Sequence, residues 1–432
     1  MTKVWNQGME GNVSEIVEKF TVGNDRELDI VLAPYDVIGS IAHVKMLKEV
    51  ELISDSESEK LVEELEIILK ATKSDGFSIP EGYEDIHSYV EFLLVEALGD
   101  IGKKVHTGRS RNDQVLVDLH LFVKAELKEI IMGTTKLFDQ FMLLGRKYEK
   151  ILMPGYTHMQ VAMPSSFGLW FGAYAETLID DLILLRAVSD IADQNPLGSA
   201  AGYGSSFPLD RELTTKLLGF KQMKVNSIAA QMSRGKLEKS MAFAMASIAG
   251  TLSKFAMDVV LYSNQNFGFV SFPDELTTGS SIMPHKRNPD VFELVRARCN
   301  KIQALPGEIM LLTNNLPSGY HRDFQLLKEN LFSGISDLKS CLEITCFMLD
   351  NILIKEGLID GDKYKLLFTV EEVNRLVTEG SSFRDAYHVV STQVQQGTFE
   401  RKEGLSHTHI GSIGNPGFDL IQEKFKSITQ TF

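Results

Sequence analysis

The sequence predicts an all-α fold: a long central helical bundle flanked by two smaller, mainly helical domains. Three observations carry this expectation. Only 12 prolines occur in 432 residues, and they punctuate the helical runs rather than interrupt them. Apolar residues recur in steps of three and four over runs of roughly 25 to 35 residues, well beyond the usual three-turn helix. One run carries Ala242, Ala244, Ala246 and Ala249, whose small side chains permit close helix–helix approach.

Taken in order, residues 1–105 read as an N-terminal helical domain whose shorter helices are broken by Pro34, Pro80 and several glycines. Residues 106–351 read as the central bundle. Its first long helix spans Asp113 to Tyr148, with Leu116, Leu119, Val123, Leu127, Ile130, Phe138 and Phe141 along it. The second opens at Pro164-Ser165-Ser166 and continues through Leu169, Ala173, Leu178, Leu182 and Leu185 to about Ile191. A third covers Lys236 to Tyr262, a fourth follows Pro289, and a fifth extends from Asp323 to about Asp350. Their apolar coverage is too broad for the two-position seam of a coiled coil, so a bundle is expected. Residues 352–432 read as a C-terminal helical domain with a glycine-rich tail. Strand signals are sparse, Gly268 to Pro273 being the best of them.

Composition narrows the class. The chain is 44% hydrophobic and 24% charged, ordinary for a globular protein with ample core. A formal net charge of −14 gives no general electrostatic support for a nucleic-acid partner. An anionic substrate must therefore be drawn in by a local positive pocket. Cys299, Cys341 and Cys346 lack zinc-like or paired spacing, which fits small buried thiols in a reducing compartment. The stretch from Met1 to Gln7 has no apolar signal segment, and no run reads as the ~20 apolar residues of a membrane span. The expectation is a cytoplasmic protein.

Four polar clusters sit at helix ends, and they carry the chemistry. Thr107-Gly108-Arg109-Ser110-Arg111-Asn112-Asp113-Gln114 offers guanidiniums, which bind carboxylates in a bidentate fork. An Asn/Asp helix cap with solvated arginines would use the same residues. Pro154-Gly155-Tyr156-Thr157-His158-Met159-Gln160 places a histidine between a turn and a helix start, where it would serve as an acid or base near neutral pH or simply as a loop residue. Gly279-Ser280-Ser281-Ile282-Met283-Pro284-His285-Lys286-Arg287-Asn288-Pro289-Asp290 joins a close-approach backbone to two hydroxyls and fixed positive charge, the makings of a carboxylate-handling loop. Glu293 comes after it and would orient a protonated histidine, or lie solvated on its helix. Pro317-Ser318-Gly319-Tyr320-His321-Arg322-Asp323-Phe324-Gln325 supplies a phenol, a cation and an amide for a polar substrate, or a plain turn and cap.

The third cluster resembles the signature loop of the fumarase/aspartase superfamily, and its Pro284 to Pro289 stretch looks like the adenylosuccinate lyase version. The whole series in this order resembles the argininosuccinate lyase family. The match takes in Tyr35 to His43, Glu84-Asp85-Ile86-His87, Asn195 to Ser199 with Asp210-Arg211, and Ser382 to Ala386. It covers about residues 20 to 400, and Gly108 to Asp113 separates this family from its superfamily relatives. The resemblance implies a fumarase/aspartase-like fold and reversible cleavage of argininosuccinate to arginine and fumarate. It implies Ser280 as base, Lys286 and Asn288 on the activated carboxylate, and His158 paired with Glu293 as binder or proton donor. Ser110, Arg111, Asn112, Thr157, Tyr320, Arg322 and Gln325 would bind substrate, with Arg234, and Asp29, Asp85 and His87 would help with its arginine end. It further implies a homotetramer whose active sites combine loops from three subunits, with no metal and no organic cofactor.

Some residues depart from the family pattern. Trp5-Asn6-Gln7-Gly8-Met9 replaces its usual opening, Asp25 stands where a substrate-binding serine is usual, and Met232-Ser233-Arg234-Gly235 keeps the arginine but loses two acids. These changes touch the arginine side and leave open a modified amine portion. Rival readings are weaker. Adenylosuccinate would need phosphate-binding clusters that the matched residues lack, and an inactive structural relative would not need the base, acid and lysine. No Gly-x-Ser-x-Gly elbow supports a Ser-His hydrolase, and Gly198 to Ser206 lacks the ending of a P-loop. His407-Thr408-His409 reads as a solvated loop rather than a metal site.

Overall fold

The computed structural model describes residues 15–402, 404, 405, 407–430 and 432, so the Trp5 to Met9 opening lies outside the described residues. The chain folds into helices α1 (Glu15–Val22), α2 (Asp25–Glu49), α3 (Asp55–Thr72), α4 (Ile86–Leu98) and α5 (Asp100–Lys103). Next come α6 (Arg111–Lys147), the strands β1 (Leu152–Thr157) and β2 (Gln160–Ser166), and α7 (Phe167–Ala192). They are succeeded by β3 (Gln194–Asn195), α8 (Arg211–Leu217), β4 (Gln222–Met223), α9 (Ser227–Gln231) and α10 (Lys236–Ser263). Then β5 (Val270–Ser271), β6 (Thr278–Gly279) and β7 (Arg287–Asn288) lead to α11 (Asp290–Leu312). The chain closes with α12 (Leu327–Asp350), β8 (Leu353–Ile354), α13 (Thr369–Thr378), α14 (Phe383–Gln395) and α15 (Phe418–Thr429). The fold is mainly helical, and α6, α7, α10, α11 and α12 match the five long runs read from the sequence.

Contacts group the chain into two units. The first holds the described residues up to Glu129, Leu185–Ala246 and Ile302–Ser336. Its core joins α2, α3 and α4 through Val37, Val44, Leu47, Leu61, Leu65, Val90 and Leu94. Ser54 starts α3 with a capping box: its Oγ accepts the Glu57 N–H, and the Glu57 carboxylate accepts the Ser54 N–H at 3.0 Å. Gly102 of α5 sits so close to α4 that a Cβ there would lie 2.4 Å from the Leu94 backbone. Pro34 does not break a helix as its sequence suggests, because it lies inside the continuous α2. An interior proline costs about 3 kcal/mol or more. Burial of Leu32, Ala33, Val37, Val44, Met46 and Leu47 on the same helix outweighs that, at ~1.5–3 kcal/mol for each larger side chain.

The second unit holds Ile130–Leu184, Ser247–Lys301 and the residues from Asp337 onward. Phe141, Trp170, Phe171, Tyr174, Phe255 and Phe292 form an aromatic core from α6, α7, α10 and α11. Within it Trp170 Nε1 and Tyr174 OH both donate to Asp258 Oδ2, at 3.0 and 2.7 Å. Phe138 stacks on Phe425 of α15 at 3.7 Å. The Gly268 to Pro273 segment does contain a strand, β5, paired antiparallel with β8. The antiparallel β1–β2 hairpin is not what the sequence suggests, for its prolines and glycine read as turn and helix-start signals. On length and hydropathy alone α2 and α10 are long and apolar enough to cross a membrane, contrary to the reading of the sequence. Half or more of each apolar stretch is buried within the protein, and α2 buries Asp25, Asp29, Asp36 and His43, as a core helix does.

Candidate active site

A cavity of about 150 Å³ opens in the first unit where several helix starts meet. Helix α2 contributes Asp25 and Asp29, and the entry into α4 contributes Glu84, Asp85 and His87. The start of α6 brings Arg111, Asn112 and Val115, while Arg234 precedes α10. Tyr320, Arg322, Gln325 and Lys328 come from the segment that leads into α12. The first turns of α4 and α6 face this space, and helix N-termini favour negative charge. Asp85 caps α4, accepting the backbone N–H and hydroxyl of Ser88 at 2.8 and 2.6 Å. Ser110 starts α6, its Oγ accepting the Asn112 N–H at 3.3 Å. Asp113 ties this turn to a neighbouring loop by accepting the N–H groups of Ser110, Gly198 and Ala200. Burial pushes the Asp113 carboxyl up to about 6, against those hydrogen bonds and Arg109.

Charges in the cavity wall are paired. Lys328 Nζ sits between Asp25 Oδ1 at 2.7 Å and Asp29 Oδ1 at 2.6 Å, and Asp29 Oδ2 also accepts the Ile86 N–H at 3.3 Å. Burial raises the Asp25 carboxyl, with Lys328 opposing; burial lowers Lys328, but Asp29 and Asp25 carry it above its usual value. Arg111 lies 3.3 Å from both Glu84 and Asp85. Arg322 bridges Glu84 at 2.5 Å and the Thr21 carbonyl at 2.9 Å. Arg234 donates to the Phe324 carbonyl at 2.6 Å and lies 2.8 Å from Glu238 as an ion pair rather than an aligned hydrogen bond. Burial raises the Tyr320 phenol, while Arg234, Lys328 and Arg322 work to lower it.

Beneath the cavity His87 Nδ1 lies 2.6 Å from Asp36 Oδ1 and 3.8 Å from Asp118 Oδ2. Burial opposes a charge on His87, yet Asp36, Asp85 and Asp118 raise it to about 9. The donor atoms of Asp36, His87 and Asp118 fall within 4.8 Å of one another, a spacing a metal would also accept. The 2.6 Å approach of Nδ1 to Asp36 and the raised His87 pKa favour a proton in that place, and we read the group as an ion-pair cluster.

Nine residues expected from the sequence thus line one cavity: Asp29, Asp85, His87, Arg111, Asn112, Arg234, Tyr320, Arg322 and Gln325. Ser110 stands at the adjoining cap and does not line it. Asp25, Glu84 and Lys328 also line it, though the sequence does not single them out as binders. Lys328 carries one usable signal, its place three residues beyond Gln325, about one helical turn along the same face.

The other six lie in the second unit. Thr157 ends β1, and His158 and Met159 form the two-residue turn of the β1–β2 hairpin, with φ of +53° and +60°. His158 is therefore not at a helix start. Two consecutive left-handed residues suit Asn-Gly, so His and Met there hold backbone strain of the kind found at functional positions. Ser280, Lys286 and Asn288 belong to a loop whose neck is the β6–β7 pair, Thr278 with Asn288 and Gly279 with Arg287. Arg287 is held by Asp274 at 3.0 Å, and Thr278 by Asp290. Ser280 Oγ accepts the N–H groups of Ile282 and Met283, at 3.3 and 3.1 Å. Lys286 and the Glu293 of α11 are exposed, as are Thr157 and His158. Among the described residues of one chain, His158 and Glu293 form no hydrogen bond or ion pair with each other.

A family model described as Lyase matches residues 8–304. The argininosuccinate lyase of Phocaeicola vulgatus is 54% identical over 430 residues, which cover 100% of this chain and 96% of that protein. That of Thermotoga neapolitana is 41% identical over 392 residues, 90% of this chain and 97% of that one. Among solved structures, an EDDS lyase variant with bound fumarate superposes with a TM-score of 0.74 at 23% identity, covering 98% of this chain and 82% of that one. A fumarate lyase:delta crystallin from Brucella melitensis bound to cobalt gives 0.72 at 16% identity, over 94% and 92%. These two likenesses concern the fold.

Proposed function

We propose, from the premise that this chain belongs to the argininosuccinate lyase family, that it cleaves argininosuccinate reversibly to arginine and fumarate, the arginine-forming step of arginine biosynthesis. The observation that carries the reading is the first-unit cavity. It gathers guanidiniums, an ammonium, carboxylates and an amide, the complement of a substrate bearing carboxylates, a guanidinium and an amino-acid head.

Chemically, a proton must leave the carbon beside a carboxylate while the C–N bond breaks. Its electron pair goes to the guanidine nitrogen, which takes up a proton as arginine departs. Ser280 is the proposed base. A serine hydroxyl is a poor base unless its alkoxide is stabilised, and the two N–H groups on its Oγ supply part of that stabilisation. Lys286 and Asn288 would hold the carboxylate as negative charge builds on it. His158, oriented by Glu293, would bind substrate or protonate the leaving nitrogen. Asp29, Asp85, His87, Ser110, Arg111, Asn112, Thr157, Arg234, Tyr320, Arg322 and Gln325 would bind the rest of the substrate.

A homotetramer with active sites shared between subunits supplies a way to complete such a site. In its favour, Thr157, His158, Lys286 and Glu293 are exposed on a single chain. We place the protein in the cytoplasm. Fumarate release, followed by ultraviolet absorbance with argininosuccinate, adenylosuccinate and aspartate in separate assays, tests the assignment. Release from argininosuccinate alone supports it; no release from argininosuccinate overturns it.

A further inference from the structure

We infer that Asp36 is a positioning residue for His87, holding its imidazole doubly protonated so that Nε2–H is presented to the cavity as a donor for a substrate oxygen. This rests on the cavity being the substrate site. Asp36 is buried on α2, and its Oδ1 lies 2.6 Å from His87 Nδ1, the length of a charge-assisted bond. With Nδ1 so engaged, Nε2 is the nitrogen left for a ligand in the cavity that His87 lines.

The acids around the ring favour the proton. Carboxylates face His87 from three elements: Asp36 on α2, Asp118 on α6 and Asp85 at the cap of α4. Asp29, also on α2, acts on Asp118. Two guanidiniums oppose the three, Arg109 toward Asp36 and Asp118 and Arg111 toward Asp85; His106 feels the same cations. The two acids nearest Nδ1, Asp36 Oδ1 at 2.6 Å and Asp118 Oδ2 at 3.8 Å, favour a positively charged ring. Asp36 carries more of this than Asp118. Among the described residues neither Asp118 oxygen has a hydrogen-bond partner, and burial together with Asp36 pushes the Asp118 carboxyl up, with His87 and Arg109 opposing. The elevated pKa of His87 agrees with this geometry.

The test is a ring-nitrogen NMR titration of His87 in the full chain, assigned by the signal lost in His87→Gln, beside the pH profile of fumarate release. In the wild type His87 should stay protonated to about pH 8. In Asp36→Asn it should titrate near or below neutrality. KM at about pH 8 should then rise about tenfold while kcat changes less than twofold. In the His87→Gln background Asp36→Asn should add less than twofold, whereas a purely structural role would multiply the two losses. If Asp36→Asn does not fold, Asp118→Asn should lower the His87 pKa by a smaller step. A wild-type His87 that deprotonates below pH 7, or an Asp36→Asn that leaves its titration in place, overturns the inference. A wild type that releases no fumarate overturns the function, and the titration still decides the ion pair.

Discussion

Lys328→Met keeps most of the aliphatic stem of the side chain and removes its charge, so it isolates the ion pairing in the cavity wall. Lys328, Asp25 and Asp29 have side chains at most 6% exposed, and Nζ contacts both carboxylates within 2.7 Å. Without the lysine, two buried carboxylates face each other, with Arg234 still acting to lower Asp25. Removing one partner of a buried pair costs about 3–5 kcal/mol. Against a typical total stability of about 5–15 kcal/mol, that is a large loss. We expect the urea midpoint to fall at unchanged slope, compared at one protein concentration because assembly adds to stability. The pH dependence comes from the shifts. Lys328 has a raised folded pKa, so its contribution is full below its ordinary value of 10.5 and fades only as pH climbs through the raised one. The Asp25 pKa is raised as well, so protonating it favours the folded chain. In the variant the loss should therefore shrink as pH falls and the Asp25 carboxyl takes up a proton. Adding Asp25→Asn should restore at least about 1 kcal/mol at neutral pH. A loss below about 1 kcal/mol, or no recovery in the double variant, refutes the claim that charge rather than packing governs this wall.

Three further outcomes are expected. Ser280→Ala should lower kcat by ~10²–10⁴-fold, with circular dichroism and light-scattering mass unchanged; near-normal turnover would remove Ser280 as the base. Met159→Gly should relieve left-handed strain in the hairpin turn and raise stability by up to about 1 kcal/mol in urea denaturation, whereas a fall would show the turn to be held by the methionine side chain. Asp113 has a folded pKa raised to about 6 from 3.8, so the stability it contributes is full below about pH 4 and is lost as pH rises through about 6. Asp113→Asn should flatten the stability-versus-pH curve between those limits, and an unchanged curve would count against its burial as an acid.

The long helices are legible because each repeats one apolar face over many turns, and that period survives in a single sequence. Most of the first-unit cavity is legible for a different reason: its guanidiniums, acids and phenol cluster at helix starts, where side chains are placed by caps. The hairpin is not, since Pro154, Gly155 and Pro164 signal a break without specifying a strand on either side of it. Its His158-Met159 turn lacks the Asn-Gly pair that would announce it. Pro34 misleads because local propensity carries no account of how much apolar surface the same helix buries. Lys328 and Asp36 escape notice since a charge on a helix face declares its partner only once the other helix is in place.

Asp258, with its donors Trp170 and Tyr174, has a practical consequence. The chain contains two tryptophans, Trp5 and Trp170. With Trp5 replaced by Phe, all indole emission comes from one ring, packed among Phe171, Phe255 and Tyr262 and hydrogen-bonded to a carboxylate. That fluorescence reports on the second unit alone. Helical circular dichroism reports on the whole chain. Recording both during one melt would show whether the aromatic core and the rest of the helices lose structure together or in succession.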